Sequence, residues 1–83
     1  MLLHLGGDDI VFQKDIIAIM DLESTQMSKD TKLFLKRAQE EGIIKNISQE
    51  EPKSYIITKI NDKNIIYYSH ISSSTLLKRM DLK

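Results

Sequence analysis

The chain has 83 residues and contains no cysteine, one proline and three glycines. The lack of cysteine excludes disulfide bonds and thiolate metal sites as sources of stability. A chain of this length forms one domain, here residues 1–83, and buries only roughly 60% of its unfolded surface, so its core is marginal. Oligomerisation is the remaining common way to add buried area, and we therefore predict a homo-oligomer.

The sequence also lacks an excess of either charge, because twelve basic residues balance twelve acidic ones. No global field therefore draws the chain onto nucleic acid or an anionic membrane, and such binding would need a local basic patch. No apolar run approaches the roughly 18 residues of a transmembrane helix. The apolar start, Met1–Leu5, is too short for a signal peptide and lacks a basic beginning. We expect a cytoplasmic protein with no membrane association.

The stretch from Pro52 to Met80 predicts a β-hairpin followed by a helix. Ser54–Ile60 is rich in β-branched and aromatic residues, Asn61–Asn64 is a polar four-residue turn, and Ile65–Tyr68 resumes strand character. The cluster Ser72–Thr75 consists of helix-capping residues and precedes the final helix. Because strand side chains alternate, we expect one of the two adjacent tyrosines to pack inward and the other to be exposed or at an interface.

The first half of the chain predicts two strand regions. A hairpin spans Leu2–Phe12, with a tight-turn composition at Gly6–Asp9. Ile16–Met20 is a nearly continuous apolar run, which is typical of a strand covered on both faces by a helix or a neighbouring subunit. Ile43–Ile47 indicates a short edge strand.

The period becomes helical between Ser28 and Glu41, with Ser28 as the N-cap and Gly42 ending the helix. An apolar face is formed by Met27, Thr31, Phe34, Leu35 and Ala38, and the opposite, solvated face by Lys29, Lys32 and Lys36. The predicted class is α+β: a small antiparallel or mixed sheet with one central and one C-terminal helix, the helices being segregated.

No catalytic or ligand-binding motif stands out. His4 is expected to be a half-buried strand residue, and His70 precedes serines whose capping role explains them without a nucleophile. Gly6-Gly7 lacks the context of a phosphate-binding loop, and the early aspartates do not have calcium-loop spacing. We therefore predict no catalytic residues, cofactor, metal or small-molecule substrate.

Several basic residues are candidates for a shared patch. Lys14 and Lys53 both precede predicted strands, and we expect their loops to share one rim of the sheet. A ring would repeat each lysine around a circle, so that a neutral subunit offers a basic belt. The full set is Lys14, Lys45, Lys53, Lys59, Lys63, Lys78 and Arg79, of which the last two also lie where cations favour a helix C-terminus.

Two stretches, HLGGDDIVFQKDIIAIMDLE and PKSYIITKINDKNIIYYSHISSSTLLKRM, resemble the RemA/RemB family of extracellular matrix regulatory proteins, and the segment SSSTLLKR is the most specific part. The resemblance covers nearly the whole chain. It implies a cytoplasmic, non-enzymatic protein with a LytTR-like fold. RemA-type members activate biofilm matrix genes and assemble into rings around which DNA binds, whereas RemB-type members are implicated in matrix regulation.

The resemblance also carries over binding residues. Lys14 stands where the family has a DNA-binding arginine, and Glu50 and Glu51 stand about where it has an arginine pair, leaving Lys53 nearby. The candidate DNA-binding residues are Lys14, Lys53, Lys45 and Arg79. We expect a ring-like oligomer with weak, backbone-directed binding of double-stranded DNA. The alternative is an oligomeric protein-interaction module that does not bind DNA, with a RemA-type paralogue as one candidate partner.

Overall fold

A computed structural model describes residues 1–22 and 28–80 of the chain. Within these residues the chain forms six strands, a 3-10 turn (Gln13–Asp15) and two α-helices. The predicted α+β class is confirmed. The elements in chain order are β1 (Leu2–Gly6), β2 (Asp9–Phe12), β3 (Ile16–Asp21), α1 (Lys29–Glu40), β4 (Ile44–Asn46), β5 (Ser54–Ile60), β6 (Lys63–Ser69) and α2 (Ser73–Met80).

The β5–β6 hairpin forms the centre of the main sheet. Its strands pair without interruption from Ser54–Ser69 to Ile60–Lys63. Asn61 and Asp62 make the turn, with φ angles of 50° and 65°. Two consecutive residues with positive φ match the twist of the flanking strands, and Asn and Asp tolerate that conformation. The predicted four-residue turn is therefore wrong, because its last two residues belong to β6.

The main sheet is mixed and has the strand order β3-β5-β6-β4. β3 runs antiparallel to β5, whereas β4 runs parallel to β6, so the strands predicted in these two regions are confirmed and β4 is an edge. β1 and β2 form a separate two-stranded antiparallel sheet, which confirms the first hairpin. We call this pair the N-terminal hairpin.

The main sheet separates two hydrophobic clusters. Neighbouring residues of β5 point to opposite faces, so Ile56 and Tyr55 belong to different clusters. On one face lie the N-terminal hairpin and α2, and on the other lies α1. The buried members are Leu3, Leu5, Val11, Ile56, Tyr67 and Leu76 on the first face, and Leu35, Ala38, Tyr55 and Ile66 on the second.

This layering corrects two predictions and bears on a third. The helices are not segregated, because α1 and α2 lie on opposite faces of the sheet. One of the two adjacent tyrosines was expected to be exposed or at an interface, but neither is fully exposed. Tyr67 is buried in one cluster, and Tyr68 packs half-buried against the other. The third concerns β3. Its cover by a neighbouring subunit stays a prediction, but within one chain the strand is not covered on both faces. It is an edge strand with a register irregularity after Ile16, and Ile17 and Met20 are 61% and 45% exposed.

Local signals position the helices as predicted. The Ser28 hydroxyl accepts a hydrogen bond from the Thr31 backbone N–H at 3.1 Å, and Gly42 follows α1 with φ +74°. The Ser72 hydroxyl caps α2 by accepting from the Thr75 N–H at 3.3 Å. Of the predicted apolar face of α1, Phe34 is 46% exposed, and Met27 lies outside the described residues. No helix in the described ranges is long and apolar enough to span a membrane.

Candidate nucleic-acid interface

The antiparallel register separates the two lysines that the sequence predicted to lie together. Lys14 precedes β3 and Lys53 precedes β5, but the start of β3 lies beside Thr58 and its end beside Ser54. Four residues of strand, about 13 Å, separate these two points. The prediction that Lys14 and Lys53 share one rim within a chain is therefore wrong, since the starts of antiparallel strands lie at opposite ends.

A different basic group forms at the end of the sheet that carries the Asn61–Asp62 turn. Lys63 pairs with the last residue of β5, Lys59 lies one position before it, and the 3-10 turn that contains Lys14 also packs against β5. All three lysines are exposed. We call Lys14, Lys59 and Lys63 the turn-end cluster.

The predicted DNA-binding residues include Lys14 but not Lys59 and Lys63, which were candidates only as members of the larger basic set. Both lysines lie within two positions of the Asn61–Asp62 turn in the sequence, and that proximity is the signal that could have selected them. Strand pairing places residues on either side of a tight turn at the same sheet end. Placing Lys14 beside them required knowing that β3 pairs with β5 and not with another strand.

The opposite end of the sheet carries Lys53 among carboxylates. The Lys53 backbone is held in place, because its N–H donates to the Ser69 carbonyl at 2.8 Å while its side chain stays exposed. Glu50 and Glu51 precede it and are also exposed. The local charge around Lys53 is therefore close to neutral or negative, as the sequence indicated.

Lys45 and Arg79 are engaged in contacts with the N-terminal hairpin. The Lys45 ammonium lies 2.8 Å from the Asp9 carboxylate, and this hydrogen bond raises the pKa of Lys45 above its usual value. The Arg79 guanidinium donates to the His4 carbonyl at 3.1 Å. Both cations thus hold the hairpin against the rest of the fold, and Lys45 has its charge largely compensated by Asp9.

Of the two histidines, His4 differs from its expected position. His4 is exposed, not half-buried, and its Nε2 lies 2.7 Å from the Gly7 carbonyl. His70 lies with its Nε2 3.7 Å from Glu50, and its buried Nδ1 has no hydrogen-bond partner among the described residues. Across the described ranges, no three histidine or acidic side chains are grouped closely enough to hold a metal ion.

The geometry of the turn-end cluster suits phosphate more than base edges. Lysine ammonium groups are compact point charges, whereas bidentate recognition of guanine or phosphate is characteristic of arginine. Exposed lysines contact the DNA backbone without reading its sequence, and the affinity then depends on the release of counterions. Asp15 and Asp62 lie beside these lysines, so one chain offers only a small net positive charge at this end of the sheet. The site also has few groups for sequence recognition.

Comparisons with known proteins agree with the sequence resemblance. Residues 2–80 match the family model described as RemA-like, Extracellular matrix regulatory protein A-like. The chain is also similar to Extracellular matrix regulatory protein B of Bacillus subtilis (strain 168). The two are 40% identical over 79 residues, which cover 95% of this chain and 89% of that protein. On this evidence the chain belongs to the RemA-like family of extracellular matrix regulatory proteins.

Proposed function

We propose that this chain is a cytoplasmic, non-enzymatic regulator of extracellular matrix gene expression in biofilms. In this proposal it acts as a ring-like homo-oligomer that binds the DNA backbone weakly. The regulatory role is supported by the family description and by the name of the Bacillus subtilis relative. The DNA-binding role is supported by one observation, the position of three exposed lysines at the turn end of the sheet. Lys63 lies on the same face as its partner Ile60, and Lys59 lies on the opposite face.

Symmetry gives this cluster its effect. The net charge of one chain is zero, so a single copy has little general attraction for DNA. A ring repeats Lys14, Lys59 and Lys63 once in each subunit and places the copies on a circle. The resulting belt contacts many phosphates at once, although each contact is weak. Such binding depends steeply on salt, with a slope of about −0.9 in log affinity against log salt for each phosphate neutralised.

The test is a salt series of binding to duplex DNA with single lysine variants. Lys59→Ala removes one cluster charge. It is expected to weaken binding and to reduce the slope by about 1 for each phosphate that the lysine neutralised. Lys53→Ala, at the other end of the sheet, is expected to leave both nearly unchanged. Lys36→Ala on the solvated face of α1 is the matched control.

Two outcomes contradict this proposal. If the parent chain forms no complex with DNA even at low salt, DNA binding is refuted. If Lys53→Ala reduces the slope and Lys59→Ala does not, DNA is bound at the other end of the sheet and the cluster is not the site. Light scattering on the parent chain tests the ring separately, and a clean monomer refutes it.

A second candidate function is an oligomeric protein-interaction module that does not bind DNA. It is favoured by the exposed carboxylates of Glu50 and Glu51 beside Lys53, which repel phosphate at that end of the sheet. A RemA-type paralogue is then the proposed partner. Mixing the two purified proteins and measuring a joint particle by light scattering, with no DNA binding by this chain alone, distinguishes this function from the first.

A further inference from the structure

The outer face of the N-terminal hairpin is apolar and exposed. Leu3 and Val11 pair with each other and point into the core, so their strand neighbours point outward. We call these outward residues the hairpin patch. Its apolar members and their exposed fractions are Leu2 58%, Ile10 54% and Phe12 53%. The exposed His4 lies opposite Ile10 on the same face. The three apolar side chains expose on the order of 300 Å², taking roughly 200 Å² for each large side chain.

A second exposed apolar surface lies on α1. Leu33 and Phe34 are 47% and 46% exposed. They line a groove of about 310 Å³ whose floor includes Ala38 and Ile43. We call this groove the helix groove. Its remaining lining residues are charged: Asp30, Arg37 and Glu41.

These two surfaces lie on opposite sides of the molecule. The N-terminal hairpin packs on the face of the sheet that carries Ile56, whereas α1 packs on the face that carries Tyr55. The hairpin patch and the helix groove therefore point away from each other. One chain cannot bring them together, but two chains stacked in the same orientation can.

We infer that the hairpin patch of one copy docks into the helix groove of the next copy. This inference rests on the proposed ring and assigns its interface. The occupant is a second copy because the two surfaces complement each other in charge. The Lys14 ammonium lies 5.7 Å from the centre of the Phe12 ring, so the patch presents an aromatic side chain with a cation over it. The groove presents two carboxylates and one guanidinium, which leave it net negative.

The exposed area also fits such a contact. A standard interface buries about 800 Å² on each partner, and homodimer interfaces are about 65% apolar, which corresponds to about 500 Å² of apolar surface. The hairpin patch supplies most of that amount. The balanced total charge of the chain means that two copies do not repel each other in general.

A contact between unlike surfaces has a consequence for assembly. Each copy uses its hairpin patch on one neighbour and its helix groove on the other, so the contact is heterologous and generates a ring or an open filament. A two-fold dimer would instead bury the same surface on both copies.

The test uses two single variants and their mixture, measured by size-exclusion chromatography with light scattering. Phe12→Glu disables the hairpin patch and leaves the helix groove intact. Phe34→Glu does the reverse. Each variant alone is expected to be monomeric, because every contact needs one intact surface of each kind. An equimolar mixture is expected to give particles of twice the protomer mass, since each pair has one intact contact and no more.

A matched control and substitute variants keep this test independent of folding. Leu77→Glu changes a residue on α2 that is 47% exposed and outside both surfaces, and it is expected to leave the assembly unchanged. Circular dichroism checks that each variant is folded. If Phe12→Glu or Phe34→Glu does not fold, Ile10→Glu and Leu33→Glu address the same two surfaces.

Each result has a definite meaning. Monomeric variants that combine into heterodimers support the heterologous contact. If the parent is oligomeric but a folded Phe12→Glu or Phe34→Glu variant still assembles, or if the mixture stays monomeric, the inferred interface is wrong while the proposed ring survives. If the parent is itself monomeric, the proposed ring and this interface are both refuted, and DNA binding remains to be judged by the salt series.

Discussion

The Ser69 hydroxyl joins the N-terminal hairpin to the main sheet, and its removal should destabilise the protein strongly. Ser69 is fully buried, donates to the Leu5 carbonyl at 2.6 Å and accepts from the Ile71 N–H at 3.0 Å. Ser69→Ala leaves both backbone groups without this partner. A buried unpaired polar group costs about 1–3 kcal/mol, so the two together are expected to cost about 2–6 kcal/mol.

That cost is large for a chain of this size, whose total stability is on the order of 4–12 kcal/mol at the usual value per residue. The assay is urea unfolding followed by far-ultraviolet circular dichroism. With a slope of about 1 kcal/mol per molar urea, the midpoint should fall by about 2 M or more. Ser74→Ala, at an exposed serine in the first turn of α2, should change the stability by no more than about 0.5 kcal/mol.

The reasoning would be refuted if Ser69→Ala unfolded within about 0.5 kcal/mol of the parent chain. The same variant connects stability to the inferred assembly. If the hairpin patch is an interface, loosening the attachment of the N-terminal hairpin should weaken the oligomer at urea concentrations where the main sheet is still folded. A loss of assembly only together with the loss of secondary structure would contradict that coupling.

Two further predictions concern the glycines with positive φ and a pair of tyrosines. Gly6 has φ +116°, and an added Cβ would lie 2.8 Å from His70 Cε1, whereas Gly42 has φ +74° and an added Cβ there would meet nothing within 4 Å. Gly42→Ala is expected to cost about 1–3 kcal/mol from backbone strain alone. Gly6→Ala should destabilise the chain more, because it adds the close contact with His70 to that strain. Equal urea midpoints for the two variants would show that the contact with His70 is not restrictive. Burial raises the pKa of Tyr55 and Tyr68, which pair across β5 and β6. The folded state therefore favours the neutral phenols, and this contribution to stability is complete below the unfolded tyrosine pKa of about 10. It is lost as the pH rises through the pKa values of the folded state. Thermal unfolding in parallel with tyrosinate absorbance checks this, and a melting temperature that is constant through this alkaline range would contradict it.

Features that depend on a few neighbouring residues could be predicted from the sequence. The N-cap at Ser28, the glycine after α1 and the cap at Ser72 each involve contacts within four positions along the chain. The two hairpins could be predicted for the same reason, because their turns have distinctive composition. Both turns were predicted too long, because Gly6 and Asp9 belong to the strands of the first hairpin and Lys63 and Asn64 to β6.

Features that depend on which element covers which face could not be predicted. The apolar run of β3 indicated burial on both faces, yet its edge position leaves Ile17 exposed. Tyr68 was a candidate for exposure, but α1 covers its face of the sheet. Local periodicity records that a residue is apolar or alternates, and it does not record which distant element packs there.

The candidate site shows the same limit. Lys14 and Lys53 each precede a strand, and their separation follows only from the antiparallel pairing of those two strands. The sequence indicated no side-chain partner for Lys45 or Arg79. In the structure Lys45 contacts Asp9, 36 positions away, and Arg79 contacts the His4 carbonyl, 75 positions away. Distant pairing therefore determined both which lysines lie at the same end of the sheet and which cations already have a partner.

The bond between Leu5 and Ser69 joins residues 64 positions apart and therefore has a consequence for the order of folding. Each hairpin closes between near neighbours in sequence, which is fast, whereas docking of the N-terminal hairpin requires a long-range contact. During synthesis the N-terminal hairpin leaves the ribosome first, but Ile56 and Tyr67, which cover its inner face, are made much later. The inner leucines of the hairpin thus stay without their native partners until most of the chain has been translated.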